Sequence, residues 1–355
     1  MNTDRYSRQI ILKDFGEQGQ QKLSNAKVLV VGAGGLGLPI LTYLNAMGVG
    51  TIGIVDHDVV SVSNLHRQFL YDASDIGKPK VEVSIRRLQA QNPETELIGY
   101  TSFLIPANAL KIISAYDIVV DATDNFPARY LINDACVILK KPFVYGALHG
   151  FEGQVSVFNH LGGPTYRCLF PKMPKADEVP NCNEHGVLGI VPGIVGNLQA
   201  LETVKVITGI GEVLSGKLLL YNGLSQSIQK VKFPLVSENM KITHLASDYD
   251  FSCASGFRSI KADAFKILMA EKELQILDVR SHDEYENTHL PNTMNIPLSD
   301  LEHNIGRIPK DQSVYVICQS GTRSRKAIAI LQERFFDQEF TNVEGGMNKL
   351  QAYVD

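Results

Sequence analysis

The chain has 355 residues, 44% hydrophobic and 20% charged, with a formal net charge of −4. Single hydrophobic cores seldom grow beyond about 250 to 300 residues, so this length predicts two or three domains. The weak negative charge gives no electrostatic reason to expect a nucleic acid or an anionic membrane as a partner, and five cysteines are too few for a disulfide scaffold and are typical of a reducing cytoplasm.

The N-terminal residues 1–5 are polar and lack the apolar core of a signal peptide. Residues 28–55 carry no charge, but seven glycines together with Pro39 and Asn45 interrupt this span. We therefore expect strand, turn, helix and strand there instead of a membrane helix, and a cytoplasmic protein without a transmembrane segment.

Residues 28–56 predict a nucleotide-binding unit. Two short apolar runs, 28–31 and 51–55, are typical of buried strands, and a mostly apolar helix is predicted over 39–47. The turn after the first strand contains four glycines, which let backbone N–H groups approach a phosphate at the helix N-terminus: Gly32, Gly34, Gly35 and Gly37. Asp56 ends the second strand, where such folds place an acid on a ribose hydroxyl.

The glycine pattern alone is most often that of an NAD-dependent dehydrogenase, so this class stays open as an alternative. The residues after Asp56 favour a triphosphate, because a dinucleotide fold needs only one acid there. Asn64 and Arg67 are donors suited to phosphate oxygens, and arginine binds them in a bidentate fork. The same segment also contains Asp58 and Gln68.

The combined pattern, Gly-x-Gly-Gly-Leu-Gly and then Asp-x-Asp-x-Val-x-x-Ser-Asn-Leu-x-Arg-Gln, resembles the ATP-dependent enzymes that activate ubiquitin-like proteins. The bacterial members are the MoeB and ThiF adenylyltransferases of molybdopterin and thiamine synthesis. The resemblance runs from about Arg5 to Pro234. It implies bound ATP and a homodimer in which Arg8 reaches the phosphates of the neighbouring subunit's ATP.

Two further polar residues stand at predicted element ends. Lys80 follows Pro79 at the start of a predicted helix over 81–91, where the helix dipole does not favour a cation. It is either a solvated surface lysine or, as the resemblance implies, a phosphate ligand. Asp124 lies near the polar end of a predicted buried strand over 116–125. It can be a helix N-cap, a Mg²⁺ ligand or positioner, or both; the resemblance favours the functional role.

Three cysteines lie in segments to which the resemblance gives a role. Relatives often carry two Cys-x-x-Cys pairs that hold structural zinc, but here Thr165 precedes Cys168 and only Cys253 follows downstream. With His244 as a third ligand at best, we predict no zinc, since a closed site needs four ligands. Cys182 lies on a predicted exposed loop over 171–186; it is either an inert thiol or, by resemblance, a point of covalent attachment for a protein substrate.

An apolar helix is predicted over 187–207, with Glu202 and Lys205 marking its exposed side. Residues 236–255 are polar and without a clear period, and we interpret them as a linker between a domain over 1–235 and a second domain over 256–355.

The second domain repeats an α/β pattern. Strands are predicted over 275–280 and 314–318, and the second of these ends at Cys318, before a helix that runs to Phe336. A thiol at a strand end, under a helix N-terminus and beside Arg323, should be stabilised as a thiolate. So polar a loop fits poorly with a cysteine buried in the core.

The patterns Leu-Asp-Val-Arg, His-x-Pro-x-x-x-Asn-Ile-Pro and Cys-x-x-Gly-x-Arg resemble a rhodanese sulfurtransferase domain from about Ala254 onward. The resemblance implies that Cys318 carries a persulfide, taken from a persulfide or thiosulfate donor and cradled by backbone N–H groups. A related phosphatase loop would have its arginine one position later, where Ser324 stands. Leu350 replaces a tryptophan found in many relatives.

Together these patterns predict an α/β protein with a Rossmann-like ATP-binding adenylyltransferase domain followed by a smaller α/β rhodanese domain. The resemblances imply Mg²⁺-ATP-dependent adenylation of a ubiquitin-like sulfur carrier that ends in Gly-Gly, and then sulfur transfer to give a thiocarboxylate. The carrier of molybdopterin synthase is the first expectation and a thiamine carrier the alternative. A nicotinamide oxidoreductase and a non-catalytic scaffold are the alternatives from other classes.

Overall fold

The computed structural model describes residues 3–174, 186–247, 249, 258–309, 312–335 and 338–350. The chain divides into two compact units, residues 1–250 and 251–355. Both are mixed α/β, which confirms the predicted fold class.

The first unit is built on an eight-stranded sheet with the order β3-β2-β1-β4-β5-β6-β7-β8. The first five strands in this order are parallel, and β6, β7 and β8 continue the sheet in antiparallel fashion. The strands are β1 (Lys27–Val31), β2 (Thr51–Val55), β3 (Glu96–Tyr100), β4 (Ile118–Asp121), β5 (Phe143–His149), β6 (Glu152–Phe158), β7 (Lys217–Asn222) and β8 (Ser227–Lys232).

Helices cover both faces of this sheet. They are α1 (Thr3–Ile10), α2 (Gly16–Asn25), α3 (Gly37–Ala46), α4 (Lys80–Gln91), α5 (Pro106–Ser114), α6 (Phe126–Leu139), α7 (Tyr166–Leu169) and α8 (Ile190–Thr208). Successive residues of β1 point to opposite faces and join different cores: Val28 and Val30 pack with α3 and α8, whereas Leu29 and Val31 pack with α5 and α6. Burial on both faces explains why this strand is uniformly apolar.

Helix α8 is buried more completely than its sequence indicated. The prediction that Glu202 lies on the exposed side was wrong: this side chain is 4% exposed, and its carboxylate accepts the Leu214 backbone N–H at 2.8 Å and pairs with Lys205. Among the described residues, α8 is also long and apolar enough to cross a membrane, but half of that stretch is buried within the protein, as in core helices of soluble proteins.

The segment that follows β8 packs on the first unit. Val236 and Asn239 donate hydrogen bonds to the Cys168 sulfur at 3.3 and 3.6 Å. Tyr249 is buried, and its hydroxyl donates to Asp134 at 2.8 Å. The described part of the predicted linker is therefore attached to this unit as far as Tyr249.

The second unit has a five-stranded parallel sheet with the order β11-β10-β12-β13-β9. Its cores lie on the two faces of this sheet. Its elements are β9 (Arg258–Lys261), α9 (Ala262–Glu271), β10 (Gln275–Asp278), α10 (His282–Asn287), β11 (Thr293–Asn295), α11 (Leu301–Asn304), β12 (Val314–Ile317), α12 (Thr322–Arg334), β13 (Phe340–Glu344) and α13 (Gly346–Leu350).

Close packing on β2 gives a test of the first unit's stability. A Cβ atom on Gly53 would lie 2.3 Å from the Tyr116 ring, which is fully buried and hydrogen-bonded to Tyr100. Gly53→Ala should therefore destabilise the unit by about 1–3 kcal/mol, a loss of several degrees in Tm. Circular dichroism of thermal unfolding measures this.

The matched control is Gly193→Ala in α8, where an added Cβ meets no atom within 4 Å. It should leave Tm unchanged or raise it, since alanine favours a helix over glycine by about 0.5–1 kcal/mol. Equal Tm values for both variants would contradict the packing described at Gly53.

Candidate functional site

The glycine-rich turn joins the ends of β1 and β2. The Gly32 N–H donates to the Val55 carbonyl at 2.8 Å, and the Ala33 N–H donates to Asp56 Oδ2 at 2.7 Å. The other carboxylate oxygen of Asp56 accepts the Asp58 N–H at 2.8 Å. Backbone bonds to both oxygens fix this acid at the carboxyl edge of the sheet, where open α/β folds bind ligands.

Two of the predicted phosphate-binding side chains lie beside this turn. Gln68 is 3% exposed and lies next to Gly34, and its Oε1 has no hydrogen-bond partner in the described structure. The Arg67 side chain packs against Gly35 and donates to the Ser63 carbonyl at 2.8 Å. The structure therefore brings the glycine turn, Asp56, Arg67 and Gln68 together.

Asn64 serves the local backbone as well. Its Oδ1 accepts the Ser61 N–H at 3.3 Å and caps the short 3₁₀ helix Val62–Asn64. Asn64 thus shapes the turn that presents Arg67 and Gln68.

Lys80 is not a solvated surface residue. It is 4% exposed, and its ammonium group lies 2.8 Å from Asp58 Oδ2. A hydrogen bond from His57 and the pair with Lys80 hold the pKa of Asp58 well below its ordinary value, against the opposing effect of burial. A nearly buried cation at a glycine-rich turn has the chemistry of an anion ligand.

Asp124 follows β4 and is exposed. The cap of α6 is its neighbour: Asn125 Oδ1 accepts the Ala128 N–H at 2.9 Å. The N-cap interpretation of Asp124 was therefore wrong, and its carboxylate accepts a long, 3.4 Å hydrogen bond from the Asn125 amide instead. An exposed carboxylate held this weakly can turn towards a ligand near the glycine turn.

A group of possible metal ligands lies at the same edge. Asp56, His57 and Asp58 offer ligand atoms within 4.8 Å of one another. The carboxylates among them, with Asp124 shortly after β4, suit Mg²⁺, which prefers oxygen ligands. The sequence pattern did not point to His57, whose ring stacks on Phe103 with centroids 3.4 Å apart.

One predicted residue has none of these contacts. Arg8 is exposed in the last turn of α1, and no hydrogen bond or ion pair joins it to another described residue. Cys182 lies outside the described residues.

Cys168 is held by hydrogen bonds. Thr165 contacts its sulfur at 3.4 Å through both its N–H and its hydroxyl, in addition to Val236 and Asn239. Burial raises the pKa of this thiol, but these hydrogen bonds outweigh it and the net shift is downward. Cys253 lies outside the described residues, and His244 is exposed and contacts Thr243.

In the second unit, Cys318 follows β12 directly. Its sulfur accepts the Gly321 N–H at 3.1 Å and lies 3.5 Å from the Ser324 hydroxyl. Cys318 is completely buried and belongs to a core cluster, so the expectation of a thiol outside the core was wrong. The polar loop folds over the sulfur and presents a backbone N–H group to it.

Arg323 lies on the first turn of α12 and forms two hydrogen bonds of 2.6 Å to Glu284. This bidentate pair lowers the pKa of Glu284 to about 2. A second pair, Arg280 with Asp278, is buried and hydrogen-bonded to the Thr288 carbonyl. The Arg323–Glu284 pair joins the start of α12, just after the Cys318 loop, to α10, and the charge of Arg323 is therefore shared with Glu284.

The fold and these sites define a doubly wound nucleotide-binding unit joined to a thiol-loop unit. Residues 6–241 match the ThiF family and residues 261–353 match the rhodanese-like domain. The chain belongs to the ThiF family and carries a rhodanese-like domain after it, which confirms both resemblances.

Known proteins are similar over nearly the whole chain or over its larger part. The adenylyltransferase and sulfurtransferase MOCS3 of Arabidopsis thaliana is 39% identical, covering 99% of this chain and 84% of that protein. The protein of the same name from Culex quinquefasciatus is 41% identical, covering 99% and 87%. The sulfur carrier protein adenylyltransferase of Thermus thermophilus is 54% identical over 64% of this chain and 86% of its own length.

Solved structures share the fold over a large part of the chain. The crystal structure of E. coli MccB with ATP has a TM-score of 0.58 and 25% identity, covering 66% of this chain and 73% of that one. The crystal structure of E. coli MccB with MccA-N7isoASN has a TM-score of 0.60 at 23% identity, covering 68% and 75%.

The shortage of ligands gives a metal prediction. Cys168, Cys253 and His244 are three ligands at best and a closed zinc site needs four, so the purified protein should contain well under one zinc per chain by elemental analysis. A chelator should leave Tm unchanged, because chelators unfold proteins that depend on structural zinc. One tightly held zinc per chain would show that ligands other than Cys168, Cys253 and His244 complete a site.

Proposed function

We propose that this protein adenylates the C-terminal glycine of a ubiquitin-like sulfur carrier and then converts it to a thiocarboxylate with sulfur from Cys318. The similarity to adenylyltransferase and sulfurtransferase relatives over 99% of the chain carries this proposal. The glycine turn, the buried Lys80 and the sulfur-binding loop of Cys318 support it from the structure.

In the first stage, an oxygen of the carrier's carboxylate attacks the α-phosphorus of ATP. The new bond joins that oxygen to phosphorus, the bond to the β-phosphate oxygen breaks, and pyrophosphate leaves. Backbone N–H groups of the glycine turn, Arg67 and Lys80 hold the phosphates, with Arg8 of the second protomer of a homodimer. The residues contribute by orienting the reactants and by stabilising charge.

The metal proposed for this stage is Mg²⁺, and Asp124 is its first proposed ligand. Asp58 adds a carboxylate at the same sheet edge, which fits the oxygen ligands that Mg²⁺ prefers. When bound, the ion neutralises charge on the phosphate oxygens. Asp56 also remains the proposed partner of the ribose hydroxyls.

In the second stage, the terminal sulfur of a Cys318 persulfide attacks the carbonyl carbon of the acyl-adenylate, and AMP leaves. The acyl disulfide that forms must then be cleaved by a thiolate, which takes the Cys318 sulfur into a new disulfide and releases the thiocarboxylate. Cys182 is the proposed thiolate; it alternatively holds the carrier first as a thioester. An external thiol reduces the disulfide, and a persulfide or thiosulfate donor recharges Cys318.

The proposal also covers the identity of the sulfur carrier. The carrier of molybdopterin synthase is the first candidate, because the relatives that match nearly the whole chain are named MOCS3. A thiamine carrier is the second, because the Thermus relative is named for a sulfur carrier protein in general. Incubation with each purified carrier, followed by mass spectrometry of its C-terminus, decides between them.

We also propose that the reaction takes place in the cytoplasm.

Adenylation should depend on Asp124. Asp124→Ala should lower carrier-dependent ATP–pyrophosphate exchange by at least about a hundredfold, because phosphate positioning and charge stabilisation are lost. Glu94→Ala, at an exposed acid of the same unit, is the control and should exchange normally. Full activity of Asp124→Ala would remove this residue from the mechanism.

The shared-site homodimer can be tested by mixing variants. Arg8→Ala and Asp124→Ala chains should each be inactive, but mixed dimers contain one intact site if Arg8 acts on the neighbouring subunit. Random mixing should restore about one quarter of the wild-type exchange, since half of the dimers are mixed and half of their sites are intact.

Arg67→Ala mixed with Asp124→Ala is the control, because both residues serve the site of their own chain. This mixture should stay inactive. Regained activity would mean that Arg67 also acts across the interface. Verified mixed dimers of the Arg8 and Asp124 variants without exchange would refute the role of Arg8 in the partner's site.

Sulfur transfer should separate from adenylation. Cys318→Ala should retain pyrophosphate exchange but lose thiosulfate:cyanide sulfurtransferase activity and carrier thiocarboxylate formation. Cys182→Ala should keep exchange and the isolated sulfurtransferase activity, yet slow thiocarboxylate formation. The mass of the carrier C-terminus is the readout, and normal thiocarboxylate formation by Cys318→Ala would show that sulfur enters by another route.

A further inference from the structure

The residue before Asp124 is held by two charged side chains that the proposed mechanism does not use. Asp121 Oδ1 accepts hydrogen bonds from the Thr123 N–H at 3.0 Å and from its hydroxyl at 2.7 Å. Arg129 Nη2 donates to the Thr123 carbonyl oxygen at 3.2 Å. The backbone donor, backbone acceptor and side chain of Thr123 are thus all bound.

These two charges are deeply buried. Asp121 is 0% exposed and Arg129 is 7% exposed. Burial raises the pKa of Asp121, while the charge of Arg129 and the bonds from Thr123 oppose the rise. Asp121 Oδ2 and Arg129 Nε have no hydrogen-bond partner in the described structure. Well-packed apolar residues are often as stabilising as buried charges, so stability alone does not account for these two side chains.

Two aromatic rings also contact the Arg129 side chain. Its guanidinium lies 5.2 Å from the ring centre of Phe126 and 5.5 Å from that of Tyr145. Phe126 belongs to α6 and Tyr145 to β5. Contacts with two elements therefore determine the position of the Arg129 guanidinium that donates to Thr123.

The turn is connected to the nucleotide loop as well. The Ala122 N–H donates to the Val31 carbonyl at 2.9 Å, and a Cβ atom on Gly32 would lie 2.6 Å from the Ala122 oxygen. Gln199 of α8 donates to the Asp121 carbonyl at 2.7 Å. Any shift of residues 121–123 would therefore move Asp124 relative to the phosphate-binding turn.

We propose that Arg129, acting through Thr123 together with Asp121, is a positioning residue that sets the place of Asp124 for adenylation. The inference rests on the proposed function. Asp124 itself is exposed and accepts only a long hydrogen bond from its neighbour Asn125, so its position follows from the backbone at Thr123. Misplacement of a reacting group by 1 Å costs about a hundredfold in rate, which makes such support necessary.

The test compares Arg129→Met with Arg167→Met in the full chain. Both arginines stack on a tyrosine of the same unit, but Arg167 pairs with Asp134 instead of binding the Thr123 carbonyl. Both variants should lower Tm. Arg129→Met should in addition lower the kcat of carrier-dependent ATP–pyrophosphate exchange about tenfold or more, with KM for ATP changed less than about twofold.

Rescue by a conservative variant distinguishes positioning from folding. Arg129→Lys keeps the charge and one donor, and it should recover part of the kcat. If Arg129→Met does not fold, Thr123→Val decides the question, because it removes only the hydroxyl bond to Asp121 and keeps the side-chain shape. It should lower kcat severalfold at unchanged KM.

An Arg129→Met enzyme with wild-type kcat per folded molecule would overturn the inference, as would wild-type kcat in Thr123→Val when the arginine variant does not fold. A wild-type chain without any pyrophosphate exchange would instead refute the proposed function. The two failures are therefore distinguishable.

Discussion

The contact between Gly32 and Ala122 is the constraint on which the first unit's site depends. Gly32 has a φ of 106°, and the space where its Cβ would stand is occupied by the Ala122 carbonyl. Only glycine meets both conditions without strain. Since β1 lies between β2 and β4, this close approach sets the spacing of three strand ends, and Asp56, Asp58 and Asp124 follow shortly after two of them.

In the second unit, a close backbone contact of the same kind is made by the N-terminus of a helix. The N-terminus of α13 closes on the Cys318 loop: the Met347 N–H donates to the Cys318 carbonyl at 2.8 Å, and a Cβ on Gly346 would lie 2.0 Å from that oxygen. With the backbone of Cys318 held in this way, the Gly321 N–H can meet the sulfur. In both units a glycine lets two backbone segments approach more closely than a side chain would allow.

Local patterns predicted the elements well because strands of apolar residues between glycines carry their own signal. The strand over 51–55 has the predicted bounds, and the helix predicted over 81–91 begins one residue earlier, at Lys80. The signals failed where burial depends on distant partners. Glu202 looks like a solvent-facing residue of α8 until Leu214 closes over it, and Cys318 looks exposed until the polar loop folds around its sulfur.

The functional site also contains residues that local patterns predicted and residues that they did not. The glycine turn and Asp56 were predicted because their spacing is characteristic, whereas the sequence left Lys80 open between a surface lysine and a phosphate ligand, and its burial excludes the first. Arg129 was not, since its role rests on a single carbonyl six positions back and on a ring in β5. Likewise, nothing local distinguishes Asp124 from Asn125 as a cap; the hydrogen bond to Ala128 does so in the folded chain.

The hydrogen bond from Tyr249 to Asp134 bears on how the adenylation and sulfur-transfer reactions are connected. Eight residues, 250–257, separate this anchor from Arg258 at the start of β9. Even fully extended, nine steps of the chain span roughly 30 Å. The covalent connection therefore limits the distance from Tyr249 to Arg258 to about 30 Å. A sulfur transfer within one chain would be a reaction between two sites joined by the chain itself, without a second encounter in solution.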